Sequence, residues 1–169
     1  MKIAERYARA TLSSNLRCDD KHSDTDTLMA IALCGVDMGP LVLRVKMAND
    51  VGSLHELKRA WLAVVAKKAF AQSWPDHISV KKAVATSIEY WLNDICPACT
   101  GKKSDQIDNT PCLTGVDCPA CNGTGKRAVP CDQDHAPYVR DLAYTLDGIA
   151  LSATNGASTK LRHECAIAA

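Results

Sequence analysis

Aromatic side chains are scarce in this chain, and neither sign of charge is in clear excess. Only 5% of its 169 residues are Phe, Trp or Tyr, and the formal net charge is +1. So small a net charge argues against a protein that holds nucleic acid by overall electrostatic attraction alone. Any contact with nucleic acid is therefore expected to come from a local basic patch or to be helped by a partner protein.

Long apolar runs are missing as well. No stretch approaches the roughly 20 apolar residues of a transmembrane helix, and residues 1–6 do not begin an apolar signal segment. Nine cysteines are present, an odd number that does not suggest a complete disulfide framework. We therefore expect reduced thiols in a cytoplasmic protein that has no membrane partner.

Catalytic motifs are missing too. The sequence has no glycine-rich phosphate loop after a strand, no nucleophile motif and no His-Glu-x-x-His metal signature. Its acidic residues fall in segments expected to form turns and caps, where carboxylates are common for structural reasons. The histidines are scattered, at His22, His55, His77, His135 and His163. We therefore expect that the protein is not an enzyme.

What the chain does contain is a pair of Cys-x-x-Cys motifs. Residues 96–101 read CPACTG and residues 118–125 read CPACNGTG, with a polar loop between them. Two such thiolate pairs can close a tetrahedron around Zn²⁺ and leave no position for water, so we expect one structural zinc ion. The glycines let the backbone turn over each motif and direct amides at the sulfur atoms. The expected ligands are Cys96, Cys99, Cys118 and Cys121.

Three further residues remain candidates for this site. Cys112 lies inside the loop, and Cys131 and His135 follow the second motif closely. A set formed by Cys118 and Cys121 with Cys131 and His135 is therefore the alternative. The repeated spacing of cysteine and glycine favours the two motifs as the ligand set.

The remaining pattern is helical, so the predicted fold class is all-α, without a convincing run of alternating strand residues. We expect a single helical domain with an inserted four-cysteine zinc-binding module. Residues 1–95 form the N-terminal helical region and residues 96–127 form the module. Residues 128–169 form the C-terminal helical region and tail.

Two helices are predicted directly before the module. Ser53 and Glu56 form a capping-box pattern at the start of the first helix, and Pro75 ends it. The second helix is expected to start near Asp76 and Ser79 and to lead into the first Cys-x-x-Cys motif. The predicted apolar faces comprise Leu54, Leu57, Trp61, Val64, Val65 and Phe70 in the first helix and Val80, Val84, Ile88, Trp91 and Leu92 in the second.

Helices are predicted farther out on both sides. Residues 26–47 are expected to form two apolar helices that break at Gly39-Pro40. The second follows a helix-turn-helix spacing only loosely and is too apolar for a major groove, so we expect it to pack in the core. Residues 138–151 form an amphipathic helix, and residues 154–158 are expected to form a turn. The apolar face of this last helix comprises Val139, Leu142, Leu146 and Ile149.

Two groups of cations are candidates for macromolecular contact. Close to the Cys-x-x-Cys motifs, cations on a rigid metal scaffold can approach a DNA backbone, although ordinary solvated side chains are an equal interpretation. A second group lies on the polar face of the helix that begins near residue 53, where solvated side chains are the commoner meaning. The first group is Lys102, Lys103, Lys126 and Arg127, and the second is Lys58, Arg59, Lys67 and Lys68.

The order of these features resembles a known family. A helical region, Cys-x-x-Cys-x-Gly, a variable loop, Cys-x-x-Cys-x-Gly-x-Gly and a second helical region follow one another along essentially the whole chain. This order is similar to that of the late-gene antitermination protein Q of lambdoid phages, most closely the phage 21 type. DnaJ-type chaperones share the cysteine motifs, but they have a J domain and four motifs, and this chain has neither.

The resemblance implies a transcription factor in the host bacterial cytoplasm. Members of the family bind a DNA element at the late promoter, load onto paused host RNA polymerase with its σ factor, and let it read through terminators. The resemblance places the zinc ligands on the four cysteines of the two motifs. It places DNA contacts on the first cation group, with Lys160 and Arg162 as second candidates. The second cation group would contact polymerase or nascent RNA at the exit channel, and a zinc-stapled chaperone or adaptor is the alternative function.

Overall fold

The computed structural model describes residues 24–33, 35–106 and 113–167, which are mostly helical. The helices within these ranges are α1 (Asp24–Ala32), α2 (Gly39–Ala48), α3 (Val51–Ala71), α4 (Val80–Leu92) and α5 (Ala136–Ile167). Two short antiparallel strands, β1 (Ser104–Gln106) and β2 (Leu113–Asp117), lie between α4 and α5. This content is consistent with the all-α class, although the strands were not predicted. None of the described helices combines the length and the apolar character that crossing a membrane requires.

All five helices contribute to one hydrophobic core. Two tryptophans lie at its centre, and each indole N–H has an acceptor. Trp61 Nε1 donates to Ser87 Oγ at 3.3 Å, and Trp91 Nε1 donates to Asp147 Oδ1 at 2.7 Å. A buried indole without an acceptor would lose a hydrogen bond to water, so these partners keep the aromatic core favourable.

Helix α3 begins earlier than the predicted capping box. Asp50 is the N-cap, and its carboxylate accepts from the backbone N–H of Ser53 at 3.2 Å and from Ser53 Oγ at 2.7 Å. Ser53 lies inside the helix and is buried, so its predicted role as the cap with Glu56 is wrong. Asp50 supplies the stronger cap one turn earlier, because its negative charge also interacts favourably with the positive end of the helix dipole. The helix ends at Ala71, before Pro75.

The predicted apolar face of α3 is correct in its centre and wrong at its edges. Leu57, Trp61 and Val65 are fully buried, as predicted, whereas Val64 is 43% exposed and Phe70 is 87% exposed. Buried positions recur every four residues along this helix. A residue one step from a buried position is rotated by about 100° around the axis, which carries Val64 and Phe70 away from the core.

Helix α4 starts and packs as predicted. Ser79 is its N-cap, and the hydroxyl accepts from the backbone N–H of Lys82 at 3.4 Å. Val84, Ile88 and Trp91 are buried in the core. The helix ends four residues before the first cysteine of the module, so the packed helix fixes the position of that cysteine.

The predicted interruption at Gly39-Pro40 is also present. Helix α2 starts at Gly39, with Pro40 in its first turn, where a missing backbone N–H costs no helical hydrogen bond. Val42, Leu43 and Val45 of α2 are buried. The prediction that this apolar helix packs in the core is therefore confirmed.

Helix α5 continues through residues 154–158, so the predicted turn there is wrong. Ala153 and Ala157 are fully buried in the core shared with α1 and α2. At the closest approach, a Cβ added to Gly39 of α2 would lie 2.7 Å from Cβ of Ala153. Close packing of small residues therefore stabilises the helix and outweighs the turn tendency of the Thr-Asn-Gly sequence. The earlier part is as predicted, with Val139, Leu142 and Leu146 buried.

Candidate metal centre

Four cysteine sulfurs converge on one point beside the end of α4. The Sγ atoms of Cys96, Cys99, Cys118 and Cys121 all lie within 4.8 Å of one another. The distance between the Sγ atoms of Cys99 and Cys121 is 3.7 Å. A tetrahedral metal ion bonded to thiolates at about 2.3 Å would hold the sulfurs about 3.8 Å apart. The cluster therefore has the dimensions of a site for one metal ion.

The four cysteines are separate from the main core. Each is less than 10% exposed, and together they form their own buried cluster. A closed four-sulfur site leaves no coordination position for water or substrate, which is the arrangement of a structural rather than a catalytic metal.

The backbone folds closely over the sulfurs at the second motif. Gly125 has φ of +74°, and its backbone N–H donates to Cys121 Sγ at 3.2 Å. A Cβ at Gly125 would lie 3.0 Å from the carbonyl oxygen of Gly101. At Gly123, where φ is +72°, a Cβ would lie 2.7 Å from the carboxylate of Asp117. The positive φ therefore favours glycine at both positions, and at Gly125 the backbone of Gly101 also leaves little space for a Cβ.

The two motifs are joined by backbone hydrogen bonds. The N–H of Cys96 donates to the carbonyl of Gly125 at 2.9 Å, and the N–H of Cys118 donates to the carbonyl of Lys103 at 2.8 Å. The first motif leads into β1, and β2 returns the chain to the second motif, with Ser104 opposite Asp117. The hairpin and these bonds set the distance between the two cysteine pairs.

A second set of contacts attaches the motifs to the helical core. Ile95 and Lys126 form an isolated antiparallel bridge, and the N–H of Arg127 donates to the carbonyl of Asp94 at 2.9 Å. Lys126 Nζ lies 2.9 Å from the carboxylate of Asp94, and Arg127 Nη2 lies 3.6 Å from the carboxylate of Glu89. The segment that follows the second motif is therefore anchored to α4 and the residues after it.

Cys131 and His135, the alternative ligands, do not join the four-sulfur cluster. His135 has both ring nitrogens engaged: Nδ1 lies 2.6 Å from Asp132 Oδ1, and Nε2 accepts from the backbone N–H of Ser79 at 3.2 Å. Because Nε2 accepts a hydrogen bond, it carries no proton, so the ring proton is on Nδ1. His135 thus supports the start of α4 and does not point at a metal. Cys112 lies outside the described residues.

The surroundings of Cys121 and Cys118 shift their pKa values in opposite directions. Burial raises the pKa of Cys121, but the N–H of Gly125 and the neighbouring thiols outweigh it and lower the pKa to about 7. At Cys118, burial dominates and raises the pKa to about 11. The amide of Gly125 therefore favours the thiolate form of Cys121, which is the form in which a cysteine binds a metal.

Three members of the first cation group are exposed, and Arg127 is half-buried. Lys102 and Lys103 are exposed at the edge of the first motif. Lys126 and Arg127 form the ion pairs with Asp94 and Glu89 described above, and the guanidinium of Arg127 is partly buried. Lys160 is exposed on α5. Arg162 lies in the same helix, but its side chain is outside the described part of the chain.

The second cation group lies on α3. Lys58, Arg59 and Lys67 are exposed. Lys68 is partly buried and donates to Asp141 Oδ2 of α5 at 2.6 Å, so it links two helices. Three of the four cations therefore face solvent on one helix.

One polar cluster was not predicted from the sequence. Asp132 accepts from Lys82 Nζ at 2.6 Å and from the backbone N–H of His135 at 3.0 Å, and it contacts the His135 ring. The bond from Lys82, followed by those from His135, holds the pKa of Asp132 far below its usual value. Lys82 and Asp132 are 50 residues apart in sequence, so nothing in the local pattern indicated this pair.

Comparisons with protein-family models, curated proteins and solved structures gave no match to this chain. The function is therefore inferred from the four-cysteine cluster, from the surfaces around it and from the order of motifs along the sequence.

Proposed function

We propose that the protein is a phage transcription antitermination factor. It binds a DNA element at the late promoter, loads onto paused host RNA polymerase with its σ factor, and makes the polymerase read through pauses and terminators. The convergence of the four cysteines into one buried cluster between two helical regions carries this proposal. It brings together in one site the two Cys-x-x-Cys motifs whose order along the chain resembles that of the Q proteins.

The metal in this proposal is a single structural Zn²⁺. Four thiolates in a closed tetrahedron are a common zinc donor set, and the 3.7 Å separation of two sulfurs fits the length of zinc–sulfur bonds. When bound, the ion replaces the thiol protons and cross-links the two Cys-x-x-Cys motifs. The helices then form one domain, with residues 96–127 as an insertion that displays its exposed surface at a fixed distance from the core.

Lys102 and Lys103 are the first candidates for DNA contact under this proposal. They are exposed beside the metal site, so a phosphate can approach them directly from solvent. Lys126 and Arg127 belong to the same group of candidates and would exchange their acidic partners Asp94 and Glu89 for phosphate. Lys160 and Arg162 are second candidates. The zinc site fixes the positions of these cations and supplies no chemistry.

On α3, the cations Lys58, Arg59 and Lys67 are proposed to contact polymerase or nascent RNA. A protein that narrows or lengthens the RNA-exit path keeps RNA single-stranded and denies a terminator hairpin the space to close. This mechanism requires shape and a positively charged lining rather than catalysis. The protein is accordingly proposed to act as a binding factor and not as an enzyme.

Single-round transcription tests the proposal. Purified host RNA polymerase would transcribe from the late promoter of the encoding phage through its terminator, with and without the protein. We expect readthrough that requires both the protein and that promoter. It should be lost with Cys118→Ser and retained with Cys131→Ser. Unchanged termination by the zinc-loaded protein would contradict it.

A zinc-stapled chaperone or adaptor is the second candidate. Ile95, directly before the cysteine module, is 61% exposed, and Val116 on the module is 65% exposed. Apolar side chains in such positions suit a protein partner. This function predicts binding to unfolded or partner protein without preference for any DNA sequence. A filter-binding measurement with promoter and random DNA separates the two candidates.

A further inference from the structure

An open apolar groove lies between the end of α3 and the start of α4. Its volume is about 560 Å³, which is within the range of about 300–1,000 Å³ typical of ligand pockets. Its walls are apolar side chains of both helices and of the segment that joins them. These side chains include Leu62, Ala66, Ala69, Trp74, Ile78 and Val80.

Phe70 forms part of the lining and is the most exposed large apolar side chain of the described residues, at 87%. It is also the single phenylalanine of the chain. A lone exposed apolar residue has no special meaning, but one continuous with an apolar groove forms a patch that a partner can cover. Phe70 is therefore positioned to act as an anchor.

Trp74 gives the groove a fixed wall. Its indole N–H donates to Gln72 Oε1 at 3.0 Å, and its ring packs against the ring of Tyr138 at a centroid distance of 4.4 Å. A preformed wall lowers the conformational entropy that binding removes. The groove is thus ready to receive a partner without rearrangement of this side chain.

Basic side chains surround the groove. Arg59 precedes Leu62 by three residues and Lys67 precedes Phe70 by three, which puts both cations beside the groove-lining face of α3, and Lys81 is part of the lining. None of these three cations forms an ion pair with another residue of the described ranges. Asp76 is the acidic residue of the lining. The rim therefore carries a net positive charge.

We propose that this groove binds an acidic amphipathic helix of a partner protein. Apolar side chains of such a helix, spaced i, i+4 and i+7, would fill the groove and cover Phe70, while its carboxylates would meet Arg59, Lys67 and Lys81. The inference does not require the proposed role in transcription, although that role uses two of the same cations, because it rests on the shape and charge of the groove between α3 and α4.

Two other occupants fit less well. In a symmetric dimer formed through the groove, the same three cations of both copies would face one another, which is unfavourable. Nucleic acid would meet the cations, but the apolar floor provides no donors for phosphate oxygens. The groove therefore favours a partner that is both acidic and apolar.

Fluorescence titration of the full-length, zinc-loaded protein tests this proposal. Trp61 and Trp91 are buried, so a ligand in the groove should change mainly the emission of half-buried Trp74. The probe is a synthetic peptide of about 18 residues, long enough to form a helix, with Leu, Phe and Leu on one face and Glu on the others. A matched peptide has Lys in place of every Glu.

The acidic peptide is expected to give a saturable emission change. Phe70→Ala should weaken its binding at least about tenfold, as for an interface anchor, whereas Tyr144→Ala removes an equally exposed aromatic of α5 and should have no effect. Arg59→Glu combined with Lys81→Glu should transfer the preference to the Lys peptide. All four positions are exposed, so the variants should fold.

Several results would overturn the proposal. They are the absence of saturable binding, equal binding of the two peptides by the wild-type protein, or unchanged binding by Phe70→Ala. A Phe70-dependent dimer in light scattering would identify a second copy as the occupant. Displacement of the acidic peptide by a labelled single-stranded DNA would identify nucleic acid instead.

Discussion

Individual glycines and carboxylates determine how tightly the cysteine cluster is held and how the helices begin. Gly125 allows a backbone amide to reach Cys121 Sγ, and Asp132 joins Lys82 and His135. Neither role follows from the residue type alone. Each depends on the distances that the folded chain imposes.

Gly125→Ala should destabilise the protein and weaken metal binding. The residue has φ of +74° and little space for a Cβ, so the strain is expected to cost about 1–3 kcal/mol. Gly148→Ala is the matched control, because Gly148 lies inside α5 with open space at the Cβ position and should gain about 0.5–1 kcal/mol. Chemical denaturation of both variants measures these changes, and effects of the same sign would contradict the prediction.

Asp132→Asn should lower stability in a pH-dependent manner. The folded pKa of Asp132 is lowered, so its stabilising effect is complete above the unfolded pKa of about 3.9 and is lost as pH falls toward the folded pKa. The difference in melting temperature between wild type and variant should be largest near neutral pH and shrink below about pH 4. A difference that stays constant down to low pH would show that the carboxylate charge is not responsible.

Several helix boundaries and buried helix faces depend on local signals in the sequence. The centre of α3, the start of α4 and the break before α2 were predictable, because each depends on a local signal such as apolar spacing, a serine cap or Pro40. The convergence of the four cysteines was predictable because two repeated motifs carry it.

Other features could not be read from local sequence. The continuation of α5 through Gly156 depends on Ala153 packing against Gly39, more than 100 residues away. The cap at Asp50 competed with an equally plausible pattern at Ser53. The two short strands between the cysteine motifs have no strong alternation of apolar and polar residues, so no local pattern indicated them.

Asp147 of α5 links three helices and should be sensitive to substitution. Its carboxylate accepts from Trp91 Nε1 at 2.7 Å and from Lys46 Nζ at 2.9 Å. Asp147→Ala leaves the indole N–H of a buried tryptophan without its acceptor and should cost about 1–3 kcal/mol. Asp141→Ala, which removes the partner of Lys68 on the same helix, should cost less than about 1 kcal/mol. Urea unfolding distinguishes the two, and equal losses would contradict this assignment.

Across the described part of the chain, two buried clusters are stabilised differently. The helical core rests on apolar packing, whereas the cysteine cluster consists of four thiols that a bound metal would hold together. The two clusters meet at the bridge between Ile95 and Lys126 and at the ion pair of Lys126 with Asp94. Loss of metal should therefore disrupt the cysteine cluster before the helical core.

Metal removal is expected to unfold the cysteine module while most of the helical structure remains. After chelation, the far-UV circular dichroism should keep most of its helical signal, and limited proteolysis should begin between residues 96 and 127. Loss of the entire helical signal on chelation would show that the helical core is not stable by itself.

Native mass spectrometry of the intact protein tests most directly whether the four cysteines hold a single zinc ion. We expect one zinc per chain in the wild type and in Cys131→Ser, and none in Cys118→Ser or Cys96→Ser. A chain that binds no zinc, or one that loses it through Cys131→Ser while retaining it in Cys96→Ser, would contradict the four-cysteine site.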